Sequence, residues 1–283
     1  VNIALTVGTG TTPLSEGELR FIKKVLLKTD RGEVICDLPG RALYKFATYI
    51  NGSAPRKDAI AAANGTYRVS LPIIFADPYM NRPEDTILDT KRYNSCTLEV
   101  TLGGVSDLLG VVGTATVTAT MDVDILHSLG PIPKEAEPHY HISYTYRQPV
   151  DANSTTEIDM DRAADLAVMR VLTHESSSGT AGVPFSGNNA DDVKDIVKII
   201  DQDGATIVKD VIHEVVQDIN KDDATLESVI AGCEIFDFVR DRSITSALST
   251  GNKSTLKYQW TNKAGVAAND IVSLATQSIR TLK

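Results

Sequence analysis

Apolar and polar residues alternate with a two-residue period through much of the chain, the pattern of half-buried strands. Val1-Asn2-Ile3-Ala4-Leu5-Thr6-Val7 shows it first. Phe21 to Lys28 is β-rich, Thr29-Asp30-Arg31-Gly32 interrupts it, and Val34-Ile35-Cys36 resumes the apolar run. Gly32 can take the positive φ of a tight turn, so this stretch predicts a hairpin. Thr66 to Phe75 predicts another strand with Val69, Leu71 and Ile73 on one face, where Pro72 suits an edge or a bulge. Thr97 to Leu102 and Thr114 to Ile125 follow, the latter alternating Thr116, Thr118 and Thr120 with Val117, Ala119 and Met121.

Ser128 to Pro138 breaks the pattern with three prolines and a glycine in eleven residues. Proline removes backbone donors, so this stretch predicts a linker and neither a helix nor a central strand. The strand pattern then restarts. His139 to Arg147 alternates His139, His141, Ser143 and Thr145 with Tyr140, Ile142, Tyr144 and Tyr146. Ala167 to Thr173 is apolar, and Ser176 to Asn189 has loop composition. Ile196 to Ile200 and Ala205 to Val208 flank Asp201-Gln202-Asp203-Gly204 as a second hairpin.

The second hairpin matches the first at an offset of 172 residues: Gly32 falls on Gly204, Val25 on Val197, Leu27 on Ile199 and Ile35 on Ile207. A helical pattern follows each hairpin. Leu43, Phe46, Ala47 and Ile50 form the first; Val208, Val211, Ile212, Val215, Val216 and Ile219 form the second. Ile235 to Val239 resembles Ile73 to Phe75. Ser254 to Tyr258 resembles Cys96 to Val100 at a shorter offset, and Asp270 to Leu282 supplies a last strand like Thr114 to Ile125. Repeats of this length are whole domains. The pattern predicts an all-β chain of two tandem eight-stranded jelly-roll sandwiches, with short helices in loops. The expected division is residues 1–130, a proline-rich linker at 131–138, and residues 139–283.

Composition narrows the function. The 283 residues are 42% hydrophobic and 23% charged, ordinary globular values that exclude a disordered tail, a collagen-like rod and a coiled coil. A net charge of −9 disfavours broad contact with phosphate backbones, so no direct nucleic-acid binding is expected. Cys36, Cys96 and Cys233 are odd in number and far apart, which fits free thiols better than a disulfide framework. No apolar run approaches the ~18 residues of a membrane-spanning helix. Val1 to Val7 lacks the basic start of a secretory signal.

Candidate chemistry is sparse. His139 and His141 are spaced to share one strand face, but no third metal ligand is marked, and two solvent-facing histidines are the expected outcome. Gly8-Thr9-Gly10-Thr11-Thr12 before Ser15-Glu16-Gly17-Glu18 has the outline of a phosphate cradle but lacks the Lys-Ser/Thr pair of a P-loop, so a turn is expected. Asp201 to Gly204 opens like a calcium loop, yet Ile212 stands where the twelfth-position Glu belongs. Asp77, Glu84, Asp85 and Asp89 flank a proline-rich loop and offer paired carboxylates of glycosidase type. Tyr258 and Trp260 share a strand face, as a core or interface pair or as a sugar-stacking platform. Accordingly no catalytic, cofactor-binding or metal residue is assigned, and no cofactor or enzymatic activity is expected.

The arrangement resembles the double jelly-roll major capsid proteins of tailless icosahedral viruses, with the small corticovirus-like versions from membrane-containing bacteriophages nearest in pattern. The stretches that carry it are Ser154 to Arg162 leading into Ala167 to Thr173, the hairpin Ile196 to Val208 with its following helix, and Tyr67 to Pro78 followed by Thr86 to Thr90. The resemblance implies a homotrimer of six jelly rolls that forms a pseudo-hexagonal capsomer. It also implies neighbouring capsomers and minor capsid proteins as partners, an internal viral membrane, and a place in the virion capsid after assembly in host cytoplasm. The short loops imply modest towers. The alternative function is a carbohydrate-binding or glycoside-cleaving β-sandwich protein, motivated by Tyr258, Trp260 and the carboxylates from Asp77 to Asp89.

Overall fold

The computed structural model describes residues 1–7, 12–60, 65–78, 80–110, 115–125, 140–180, 183–201, 206–253 and 255–281. The glycine loop at 8–11, His127, His139, the linker 131–138 and the turn at 202–205 lie outside the described residues. The chain divides into two compact units. One is Val1–Phe75 with Thr90–Glu137; the other is Ala76–Asp89 with Pro138–Lys283.

The first unit contains β1 (Asn2–Val7), α1 (Gly17–Arg20), β2 (Ile22–Thr29), β3 (Val34–Leu38), α2 (Gly40–Asn51), β4 (Gly65–Ser70), β5 (Cys96–Leu102), α3 (Val105–Leu108) and β6 (Val117–Asp122). Its strands run antiparallel in the orders β4–β1–β6 and β3–β2–β5. The predicted hairpin is β2–β3, closed by the Gly32 N–H donating to the Thr29 carbonyl at 3.0 Å, with Gly32 at φ +80°. Ile3, Val25, Ile35 and Val69 bury the inward positions of the alternation. The helical spacing from Leu43 to Ile50 becomes α2, whose residues from Gly40 to Ile50 are all buried.

The second unit contains β7 (Tyr140–Asp151), β8 (Glu157–Asp159), β9 (Leu166–Ser177), β10 (Asn188–Asn189), β11 (Lys194–Asp201), β12 (Thr206–Ile212), α4 (His213–Asp223), β13 (Cys233–Asp237), β14 (Leu248–Ser249), β15 (Leu256–Asn262) and β16 (Ile271–Thr281). Eight strands form two antiparallel sheets, β7–β16–β9–β13 and β8–β15–β11–β12, and the short β10 and β14 also lie along β9. Val171, Val272 and Leu274 from one sheet join Val197, Ile199, Tyr258 and Trp260 from the other in one apolar core. That is the eight-stranded jelly-roll sandwich. The first unit repeats six of these strands in the same order: β4–β1–β6 corresponds to β13–β9–β16, and β3–β2–β5 to β12–β11–β15.

Several elements differ from their sequence expectation. The strand expected over Thr66 to Phe75 ends at Ser70, ahead of donor-less Pro72, so Ile73 to Phe75 is no strand and its likeness to β13 does not hold. β12 runs to Ile212 and the helix starts only at His213. Val211 and Ile212 satisfy both periods, and pairing with Val197 and Ile196 decides for strand. β7 continues through Pro149, which falls where the register against β16 shifts between Val272 and Leu274. His141 is buried at 5% exposure, not solvent-facing.

Candidate functional site

The second unit's apolar core gives way at one end to a buried ionic network. Thr173 and Glu234 sit opposite each other on β9 and β13. Lys194 opens β11, Tyr258 comes from β15, and His213 is the first residue of α4. Glu175 lies two residues past Thr173 on β9, so strand alternation aims both the same way. Glu175, Lys194, His213, Glu234 and Tyr258 are all 0% exposed.

Glu234 is the hub. Its Oε1 accepts from Thr173 Oγ1 at 2.7 Å, from Lys194 Nζ at 2.9 Å and from the Tyr258 hydroxyl. Its Oε2 meets His213 Nδ1. Lys194 Nζ also donates to Thr173 Oγ1 at 2.9 Å and lies 5.7 Å from the centre of the Tyr258 ring. Glu175 is held from behind: its Oε2 accepts the backbone N–H groups of Val193 at 3.1 Å and Lys194 at 2.7 Å. Its Oε1 lies 2.7 Å from His213 Nε2. Asp191, half exposed between β10 and β11, reaches within 3.6 Å of the same nitrogen. Asp191 Oδ1 accepts from Gln217 Nε2 at 2.8 Å and from the Gly232 N–H at 3.0 Å.

These contacts set the protonation states. Burial works against a charged His213, but Glu234 foremost, with Asp191 and Glu175, raises it to about 10. Burial likewise opposes the Glu234 charge, while Lys194 and His213 hold that carboxyl well below its usual range. The nearby His213 leads in lowering Asp191 to about 2, against partial burial. Burial, then the Glu234 charge, pushes the Tyr258 hydroxyl far up, so it serves as a donor. Among the described residues, Glu175, Asp191 and His213 are the His and carboxylate set close enough to share a metal ion, with one ligand atom from each inside 4.8 Å.

The sequence candidates fall elsewhere. Asp77 is fully buried and pairs with Arg170 at 2.6 Å; Arg170 also holds Asp237 at 2.7 Å and donates to Gln277 at 2.8 Å. Asp85 pairs with exposed Arg82. Three of the loop carboxylates, Asp77, Glu84 and Asp85, are thus tied to arginines. Tyr258 and Trp260 stack at 5.6 Å inside the core and present no face to a sugar. Asp201 pairs with Lys253. Cys36 and Cys233 are buried and Cys96 is exposed. No spacing along the chain marks Glu175, Asp191, Lys194, His213 or Glu234 as a set. The readable hint was a charge set inside an apolar strand, as in Cys233-Glu234-Ile235-Phe236.

No protein-family model and no curated protein matches the sequence. Solved structures match it over its whole length, and they place the chain in the double jelly-roll fold class. The major capsid protein P2 of bacteriophage PM2 superposes with a TM-score of 0.58 at 13% identity, covering 100% of this chain and 87% of that one. The STIV MCP gives a TM-score of 0.64 at 12% identity over 98% and 86%. The PBCV-1 virus capsid gives 0.52 at 12% identity over 100% and 87%.

Proposed function

We propose that this chain is a viral major capsid protein of two jelly-roll domains, residues 1–130 and 139–283, with residues 131–138 as the linker in sequence. Three copies form a pseudo-hexagonal capsomer of an icosahedral shell, in contact with neighbouring capsomers, minor capsid proteins and an internal membrane. Its place is the virion, its assembly site the host cytoplasm, and its role structural and not enzymatic. The observation that carries this reading is the whole-chain match to capsid proteins at TM-scores of 0.58 and 0.64. Exposed apolar side chains support it. Ile212, Val215 and Ile219 stand exposed in a row along the start of α4, and Met121, Val123 and Ile125 along and beyond β6. Such surfaces suit lateral contacts between subunits. The buried Tyr258 and Trp260 remove the main motive for a carbohydrate-binding reading.

Light scattering after size exclusion tests it. A trimer of 30.5 kDa chains has a mass of about 92 kDa and closed cyclic symmetry. A monomer at every concentration from micromolar upward would refute the capsomer.

A further inference from the structure

We propose that Glu175, Asp191 and His213 form a site for one divalent transition-metal ion of the zinc class, joining β9, the β10–β11 connection and α4. This goes beyond the capsid reading and does not depend on it. The ligand atoms are Glu175 Oε1, His213 Nε2 and a carboxylate oxygen of Asp191.

Three features of the geometry support the assignment. His213 Nε2 and Glu175 Oε1 are fully buried, and neither has a partner of hydrogen-bonding geometry although they lie 2.7 Å apart. Two of the ligands are also fixed from behind, the far ring nitrogen of His213 by Glu234 and the second carboxylate oxygen of Glu175 by two backbone amides. Asp191 is positioned by Gln217 and the Gly232 amide, which both donate to its Oδ1. A carboxylate behind a ligating histidine is the arrangement that orients metal ligands and raises their basicity. Bonds of about 2.0 Å in a tetrahedron put neighbouring ligand atoms about 3.3 Å apart. The observed 2.7 and 3.6 Å straddle that value, so small side-chain shifts suffice. The fourth position opens on the side of Asp191, whose side chain is 46% exposed.

Charge supports the same ion. Glu175, Asp191 and Glu234 bring three carboxylates together around a single lysine, Lys194. On the rim, Lys263 pairs with Glu214 and donates to the Asp191 carbonyl at 2.8 Å, adding no net charge. With His213 as a neutral ligand, Lys194 and a divalent ion balance the three carboxylates. Mixed imidazole and carboxylate ligands with thiolates absent from the set suit zinc or cobalt better than calcium.

The test is calorimetric titration of Zn²⁺ into the chelator-treated full chain, with Co²⁺ absorption as a probe of coordination. The expected result is one ion per chain, tetrahedral Co²⁺ bands, and a raised melting temperature with Zn²⁺. Asp191→Ala, at the exposed edge, is expected to keep the wild-type far-ultraviolet spectrum and weaken Zn²⁺ at least ~10-fold. Glu175→Gln should weaken it further. If Glu175→Gln fails to fold, Asp191→Ala decides alone. Folded wild-type protein with no saturable Zn²⁺ binding overturns the proposal, as does unchanged affinity in Asp191→Ala. A trimer without Zn²⁺ binding defeats the site alone; Zn²⁺ binding by a strict monomer defeats the capsomer alone.

Discussion

Removing the Lys194 ammonium while keeping the bulk of the side chain, as in Lys194→Met, isolates the charge at the centre of the second unit. Lys194 and Glu234 are both 0% exposed and 2.9 Å apart, so no solvent stands ready to replace the lost partner. Glu234 would retain His213, Tyr258 and Thr173, and Thr173 Oγ1 would lose the donor it now accepts from. Breaking one side of a buried pair costs about 3–5 kcal/mol, mostly because the other charge stays buried. With a denaturant slope of about 2 kcal/mol per molar urea, a 4 kcal/mol loss moves the midpoint down by about 2 M. The assay is built into the chain. Trp260 is its one tryptophan and is buried in this core, so its fluorescence follows the second unit. The double variant Lys194→Met/Glu234→Gln should lose less than the sum of the single variants, by about 1 kcal/mol or more, because neither charge is then left behind. A midpoint shift under about 0.5 M for Lys194→Met, or strictly additive losses, would refute the reasoning.

Two further outcomes follow from the same unit. His213 titrates near 10 when folded against an ordinary 6.5, so its contribution is whole below about pH 6.5 and fades as pH rises toward 10. Asp191, lowered to about 2 from 3.8, loses its contribution as pH falls from about 4 to 2. The urea midpoint of the Trp260 signal should therefore drop between pH 7 and 10 in the chelator-treated wild type and stay flat there in His213→Gln; equal slopes would remove His213 from the account. Gly187→Ala should cost ~2 kcal/mol or more. Gly187 has φ +81° and an added Cβ would meet the Ser177 carbonyl oxygen at 2.6 Å, whereas Gly265→Ala, at φ +95° with open space, should cost less. Urea midpoints of the two variants check the order.

The strands were legible where one local rule dominates. Alternation plus Gly32 fixed the first hairpin, and the matched spacing of Val25 and Leu27 with Val197 and Ile199 pointed to buried positions in both copies. Where two periods coincide the sequence was ambiguous, as at Val211 and Ile212, and pairing with a distant strand resolved it. The ionic network was not legible. Glu175 and Glu234 are neighbours only because β9 and β13 pair, and His213 joins them only because α4 begins where β12 ends. The histidines that share strand spacing, His139 and His141, did not mark the cluster. Long-range pairing brought together residues 21 and 40 positions apart, such as His213 with Glu234 and Lys194 with Glu234.

The polar sites of the two units also correspond. At the offset of 172 that aligns the hairpins, His213 falls on Arg41. Each is a buried cation in the first turn of the helix that follows its hairpin, α4 in one unit and α2 in the other. A cation there opposes the positive end of the helix dipole and must be neutralised from outside the helix. In the first unit Glu16, which follows β1, does so: Arg41 Nε donates to its Oε2 at 2.6 Å, and against burial Lys45, Arg41 and Lys57 lower Glu16 to about 2. In the second unit the carboxylate on β9, the strand that corresponds to β1, is Glu175, with Asp191 and Glu234 beside it. Lys194 itself falls on Ile22, which is fully buried. The chemical difference lies in the cation. A guanidinium keeps its proton and cannot ligate a metal, so Arg41 and Glu16 form a permanent pair. An imidazole can exchange its proton for an ion, and that is the exchange the site proposed in the second unit would use.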